Sequence, residues 1–156
     1  MEINKKLLAQ CIFISLAVGI AASVLSGGEM EMFQALNKPP LSPPGWLFPV
    51  VWTILYVLMG IASYLVITSG AGDEERYRAL LVYGLQLVVN FFWPIFFFRF
   101  GWYFFSFIWL LLLWLLIFRT WDMFREISRL AGILLVPYLL WVTFAGYLNL
   151  AIALVN

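Results

Sequence analysis

The chain has 156 residues, 65% hydrophobic and 11% charged, whereas a soluble domain is about 45 to 50% apolar and about 25% charged, so it is a membrane protein. A net charge of +1 without any basic block argues against a nucleic-acid partner. The single cysteine, Cys11, excludes an internal disulfide, and the absence of histidine removes the commonest metal ligand and the usual general base, so no metal site is predicted.

Apolar runs of about 20 residues predict membrane spans, because an α-helix of that length crosses a hydrocarbon core of ~30 Å. Five such runs occur, at about Leu7–Leu25, Leu47–Thr68, Ala79–Phe98, Tyr103–Trp121 and Leu130–Val155. Although Lys5 and Lys6 precede the first run as in a signal peptide, the run exceeds the about 7 to 15 residues of a signal core, so we interpret it as an uncleaved span. The predicted fold class is an all-α membrane protein, a bundle of five transmembrane helices.

The basic residues predict the orientation of the bundle. Those on the N-terminal side of the membrane are Lys5, Lys6, Arg76, Arg78, Arg119, Arg125 and Arg129, against Lys38 and Arg99 on the other side. In a bacterial cell membrane, the expected location, the positive-inside rule places the N-terminus in the cytoplasm.

Three spans each carry a face of aromatic and polar residues, spaced three or four residues apart as on one side of a helix. These residues are Trp52 and Tyr56 on the second span, Gln86, Asn90 and Trp93 on the third, and Tyr138, Trp141, Ala145 and Asn149 on the fifth. Because polar side chains need partners in hydrocarbon, such faces mark bundle interiors or sites. The alternative is structural, since tryptophans also fill cores and amides also join helices. The fourth span is almost wholly apolar and is expected to face lipid.

The spans contain no charged residue in their interiors, which argues against an ion-coupled transporter. They also contain no nucleophilic triad and no pair of carboxylates. A cavity walled by aromatic residues with a few neutral hydrogen-bonding groups is typical of a site for a flat, largely apolar ligand. Binding is therefore favoured over catalysis.

The segment NKPPLSPPGWLFP, which precedes the second span, holds five of the seven prolines. Proline fixes its own φ and pushes the preceding residue towards extended geometry, so the segment predicts a stiff lid over the mouth of the bundle. Pro49 is tolerated there because the first helical N–H groups have no intrahelical partner.

Three motifs occur in order, NKPPLSPPGWLFPVVWTILY, QLVVNFFWPIFFF and VPYLLWVTFAGYLN, on the second, third and fifth spans. Together they resemble the TspO/MBR family, the tryptophan-rich sensory proteins related to the translocator protein or peripheral-type benzodiazepine receptor. The resemblance implies one transmembrane domain over residues 1–156, with a lid at 27–46. It also implies partners, namely membrane lipid, a second copy in a homodimer, and a porphyrin such as protoporphyrin IX or another tetrapyrrole, held as a ligand and not as a covalent cofactor.

The family's pocket residues correspond to Trp52, Asn90, Trp141 and Ala145. The full ligand-binding set expected here is Trp52, Tyr56, Gln86, Asn90, Trp93, Tyr138, Trp141 and Ala145, with Leu41, Pro44 and Trp46 from the lid. The family has also been proposed to degrade porphyrin in light, for which Trp52 and Trp141 would be the reactive residues, to transport porphyrin or lipid, and to sense stress. Binding or sensing is the leading interpretation, with the enzyme and the transporter as alternatives and a purely structural bundle as a third.

Two departures from the family pattern bear on the ligand. Leu41 stands where many relatives have tryptophan in KPxWxPP, which removes one aromatic face from the lid. The C-terminal LNLAIALVN has no tyrosine and no basic residue, so sterol binding gains no support.

A row of small residues in the first span, Ser15, Gly19, Ser23 and Gly27, allows close approach of another helix. That helix belongs either to the same monomer, which we favour, or to a second copy. Gly84 on the third span is the other candidate for a dimer contact.

Overall fold

The computed structural model describes residues 2–27 and 33–156, which are helical with short connections and contain no strand. The helices are α1 (Lys5–Ser26), α2 (Leu47–Ile67), α3 (Asp73–Pro94), α4 (Tyr103–Ile127) and α5 (Arg129–Val155), with a π-helical turn, Ile95–Arg99, that continues α3. All five, with the π turn counted in α3, are long and apolar enough to cross a membrane. The predicted fold class is confirmed. The lid segment 27–46 lies partly outside the described residues, at 28–32.

Two helices extend beyond the predicted spans. Helix α3 begins at Asp73 instead of Ala79, and α4 ends at Ile127 instead of Trp121. Three acidic residues in the first turn of α3 stabilise its positive N-terminus, and Arg78 pairs with Glu74 one turn later. High hydropathy identifies only the part of a helix that lies in hydrocarbon. The charged ends of these two helices were therefore not predicted.

The α4–α5 corner is made by a single residue, Ser128. Its side chain caps α5 by accepting from the backbone N–H of Ala131 at 3.3 Å. Gly132 allows the two helices to meet, because a Cβ there would lie 2.5 Å from the Cβ of Arg125. Helices α4 and α5 therefore pack antiparallel directly after the turn.

Helices α1 and α2 cross closely through small residues. The Ser15 hydroxyl donates to the backbone carbonyl of Tyr56 at 2.7 Å, and a Cβ on Gly19 would overlap the Tyr56 ring. At the next crossing point a Cβ on Gly60 would lie 2.5 Å from the Cα of Ile12. The contacts of Ser15 and Gly19 are thus within the monomer, as the favoured interpretation of the small-residue row expected.

Helix α4 is not simply a lipid-facing element. Its outer face does carry exposed apolar residues, but its inner face is buried against α3 and α5. The buried residues are Ser106, Leu110, Leu113, Ile117, Thr120 and Phe124. Trp109 also donates its indole N–H to the Val89 carbonyl of α3 at 2.7 Å. The expectation of a lipid-facing span was therefore wrong for this face, because an apolar helix without polar landmarks does not reveal from its sequence which side is packed.

Candidate functional site

A cavity of about 610 Å³ lies among α1, α2, α3 and α5, under the Pro-rich segment. Its size falls in the range of about 300 to 1,000 Å³ of small-molecule sites. Aromatic residues form a large part of its wall, namely Phe33, Phe48, Trp52, Tyr56, Trp93, Phe98 and Trp141. Such a wall suits a flat, largely apolar molecule.

Six of the residues expected from the sequence line this cavity, namely Trp52, Tyr56, Asn90, Trp93, Trp141 and Ala145. Two others, Gln86 and Tyr138, are buried directly behind Asn90. The three lid residues are not part of the lining. Leu41 is 83% exposed and Trp46 is 60% exposed, and Pro44 is exposed as well.

The polar residues behind the cavity form one chain of hydrogen bonds. Asn90 Nδ2 donates to the Tyr138 hydroxyl at 2.9 Å, and that hydroxyl donates to Gln86 Oε1 at 2.7 Å. Gln86 Nε2 in turn points at the sulfur of Met59 at 3.8 Å. Gln86 and Tyr138 therefore support Asn90 without reaching the cavity.

A second set of bonds holds the Trp93 ring in the cavity wall. Its indole N–H donates to Asn149 Oδ1 at 3.0 Å, and Asn149 Nδ2 donates to the Tyr103 carbonyl at 2.8 Å. The ring also stacks on Phe97, with centroids 5.2 Å apart. The sequence placed Asn149 on the inward stripe of the fifth span, and the structure shows what it holds.

Trp52 and Trp141 face the cavity from different helices and differ in their surroundings. Trp52 lies edge-on to Tyr138 at 6.1 Å between centroids, and Trp141 lies edge-on to Phe48 at 5.8 Å. The Trp141 Nε1 atom is buried and has no hydrogen-bond partner within residues 2–27 and 33–156. A buried donor left unpaired destabilises the folded protein by about 1 to 3 kcal/mol. A ligand in this cavity that accepts a hydrogen bond from Trp141 would remove this penalty.

Sequence reasoning missed part of the wall. Phe48 lies four residues before Trp52 and shares its face, a spacing that could have identified it. Helix α1 supplies Leu16, Gly19, Ile20 and Ser23, spaced as one helical face. That face was interpreted only as a packing surface, although it both packs against α2 and lines the cavity.

The π turn after Pro94 completes the wall. A π turn changes the direction in which side chains leave the helix, and such turns are frequent at functional sites. Phe97 and Phe98 are consecutive and both buried, Phe98 lining the cavity and Phe97 packing 5.0 Å from Tyr103. Arg99 then donates to the Leu25 carbonyl at 2.9 Å, which ties this turn to the end of α1.

The Pro-rich segment is fastened to α5. The Tyr147 hydroxyl donates to the Pro40 carbonyl at 2.8 Å. The backbone of Asn37 and the side chain of Asn156 bond reciprocally, at 3.2 Å and 2.9 Å. Gly45 of the segment lines the cavity. Part of the segment therefore lies against the cavity, and its action as a stiff lid stays a prediction.

The cavity opens to one side of the bundle. Ile20 and Ser23 of α1, and Pro49 and Thr53 of α2, line the cavity and are also exposed. Exposed side chains in a cavity lining are expected at its rim. We infer from them an opening between α1 and α2.

Comparison with known proteins identifies the family. The model of the TspO/MBR family matches residues 11–155, nearly the whole chain. The chain belongs to the TspO/MBR family. It is 39% identical to the tryptophan-rich protein TspO of Chlorobaculum tepidum, over 98% of this chain and 99% of that protein.

Similarity extends across bacterial and animal members of the TspO/MBR family. The chain is 34% identical to the tryptophan-rich sensory protein of Cereibacter sphaeroides, over 88% of this chain and 87% of that protein. It is also 34% identical to the human translocator protein, over 86% of this chain and 80% of that protein. Together with the five membrane-spanning helices, this membership makes the chain an integral multi-pass membrane protein.

Proposed function

We propose that this TspO/MBR protein binds a porphyrin, protoporphyrin IX or a related tetrapyrrole, in the cavity under the lid. The observation that carries the proposal is a cavity of about 610 Å³ walled by aromatic rings from several helices, with Trp52 and Trp141 on α2 and α5. Aromatic contacts favour flat conjugated ligands by about 0.5 to 1.5 kcal/mol each beyond the area they bury.

The polar features of the site fit the same class of ligand. The unpaired Trp141 N–H offers a donor inside a largely apolar wall. Lys38 and Arg99 lie at the lid end of the bundle, where they could attract the carboxylates at one edge of a porphyrin. The apolar face of such a ligand would thus contact the aromatic wall, and its acidic edge would lie near these two basic residues.

The test is a titration of the purified protein with protoporphyrin IX in the dark, followed by quenching of tryptophan fluorescence. Saturable quenching with one ligand per chain, and without loss of porphyrin, is the expected result. Absence of saturable quenching would leave a structural bundle as the better interpretation. The same sample in light tests the enzymatic alternative, because a new chromophore that forms only with the protein would indicate porphyrin degradation.

The opening between α1 and α2 favours a second candidate function, the transport of porphyrin or lipid. Ligands that reach the cavity through this opening would come from the bilayer, as a carrier between membrane and site requires. Transfer of porphyrin between two populations of vesicles, faster with the protein than without it, would support this function. Equal transfer rates would leave binding or sensing as the role.

A further inference from the structure

The hydrogen-bond chain behind the cavity has a fixed direction, and a thioether sets it. Met59 is fully buried, and Gln86 Nε2 approaches its sulfur at 3.8 Å. A thioether has no proton and can only accept. Gln86 therefore directs its NH₂ group at Met59, which leaves its carbonyl oxygen facing Tyr138.

This direction passes on to Asn90. The Tyr138 hydroxyl gives its only proton to Gln86 Oε1 at 2.7 Å. Its oxygen can then only accept from Asn90, whose Nδ2 lies 2.9 Å away. The alternative arrangement, with Asn90 Oδ1 against the hydroxyl, would place two acceptors together. The amide of Asn90 is thus held in one of its two orientations.

Asn90 Oδ1 is left to the cavity, which Asn90 lines. Within the described residues, the hydrogen bond of the Asn90 side chain is the one that its Nδ2 donates to Tyr138. We propose that Gln86 and Tyr138 are positioning residues, which fix the Asn90 amide so that the cavity selects aromatic ligands carrying an N–H donor. This inference rests on the proposed function only in taking the cavity as the ligand site.

The preference has a consequence for tetrapyrroles. A free-base porphyrin carries pyrrole N–H groups, and its metal complexes do not. The unpaired N–H of Trp141 also favours a ligand that carries a hydrogen-bond acceptor. The site therefore favours ligands with both a donor and an acceptor over purely apolar ones of the same shape.

The test uses two small tricyclic aromatics of nearly equal shape, carbazole, which has an N–H donor, and 9-fluorenone, which has a carbonyl acceptor. The measured quantity is the ratio of their dissociation constants. Gln86→Met removes the acceptor for the Tyr138 proton, which then turns to Asn90 Oδ1 and reverses the amide. The ratio should shift about tenfold towards 9-fluorenone, since one probe loses a hydrogen bond and the other gains one.

Two further variants separate positioning from mere stability. Tyr138→Phe removes the relay, so Asn90 can turn either way and discrimination should fall without reversing. Tyr83→Phe is the matched control, because the Tyr83 hydroxyl is also buried but is not part of the Asn90–Tyr138–Gln86 chain, and Tyr83 does not line the cavity. Its ratio should equal that of the parent.

An unchanged ratio in folded Gln86→Met and Tyr138→Phe would overturn the proposal, as would a parent protein that binds neither probe. If Gln86→Met does not fold, Tyr138→Phe alone decides. Protoporphyrin IX is titrated separately. A protein that shows the shift in ratio but does not bind protoporphyrin IX would refute the proposed function and leave this inference standing.

Discussion

The indole of Trp141 combines two properties that seldom occur together. Its ring packs against Phe48, and its N–H is buried without a partner in the described residues. Buried polar groups in folded proteins are nearly always hydrogen-bonded, so an exception at a cavity wall indicates a group kept for a ligand. The N–H and the ring therefore make separable contributions to binding.

Substitution of Trp141 tests both contributions. Trp141→Phe keeps an aromatic ring and loses the donor, and should weaken protoporphyrin IX binding by about 1 kcal/mol, the net value of one hydrogen bond. Trp141→Ala and Trp52→Ala should each cost about 1 to 3 kcal/mol, because the aromatic contact and its buried area are lost. Fluorescence titration measures all three.

Trp109→Ala is the control for these variants, since Trp109 lies on α4 and does not line the cavity. It should leave affinity unchanged, although it removes a bond to the Val89 carbonyl and will lower stability. Equal losses of affinity in all four variants would show that the tryptophans act through the fold and not through contact with the ligand.

At the scale of elements, two side chains of the described residues tie the Pro-rich segment to the C-terminal part of the chain. Tyr147 holds it at Pro40, and Asn156 holds it at Asn37. Directly after Pro40, Leu41 has φ 69°, a left-handed conformation that is uncommon for leucine, and its side chain points away from the bundle. The prolines stiffen the segment, and these hydrogen bonds hold it at two points among the described residues. It therefore suits a lid that moves as one rigid unit.

Tyr147→Phe should therefore loosen the lid and leave the cavity wall intact, since Tyr147 is not part of the cavity lining. We expect the dissociation rate of protoporphyrin IX to rise about 2- to 10-fold, as loss of one hydrogen bond allows. Tyr77→Phe, an exposed tyrosine near the start of α3, is the control. Stopped-flow displacement measures the rate. A rate that does not change would mean that the lid does not limit release.

The sequence was sufficient for the helices and for the inward faces of α2, α3 and α5, because apolar run length and helical spacing are local properties. Trp52, Asn90 and Trp141 were placed on these faces from spacing and resemblance, and all three line the cavity. The share of α1 in the wall could not be predicted, since its small residues suit packing and lining equally. Leu41 and Trp46 were expected at the site and are exposed, because the course of a loop depends on tertiary contacts that no local pattern contains.

At the scale of the whole molecule, the lid and the side opening offer two different routes to the cavity. We propose that the lid covers the end of the cavity nearest water and that the gap between α1 and α2 faces lipid. A largely apolar ligand partitions into the bilayer, so its concentration is higher at the side opening. We expect most ligand molecules to enter and leave the cavity through the side opening.

Bridging the opening tests the route. Ser23→Cys and Thr53→Cys, combined in a Cys11→Ala background, place one thiol on each side of the gap, and a bifunctional maleimide can join them. Both association and dissociation of protoporphyrin IX from vesicles should slow severalfold after bridging, with little change in Kd. Each single-cysteine variant, treated in the same way, is the control. If the association and dissociation rates do not change after bridging, the ligand passes through the lid end instead.

The outer face of α3 differs from that of α1 in a way that bears on self-association. A Cβ on Gly84 would meet nothing within 4 Å, whereas one on Gly19 would overlap the Tyr56 ring. Around Gly84 lie the exposed apolar residues Leu81, Leu85 and Val88. We propose that two copies associate through this face of α3, because a glycine amid apolar side chains allows close helix approach.

Gly84→Leu should therefore shift the protein from dimer to monomer in lipid while leaving its fold and porphyrin affinity intact, since a Cβ at Gly84 meets no described atom of the monomer within 4 Å. Crosslinking in vesicles, or energy transfer between labelled copies, measures the shift. Gly146→Leu on α5 is the matched control, because a Cβ there meets only Leu110, at an ordinary 3.9 Å. Gly19→Leu should instead reduce the folded fraction, since it displaces Tyr56. A Gly84→Leu protein that still dimerises would place the contact elsewhere, and a parent that is monomeric in lipid would refute dimerisation altogether.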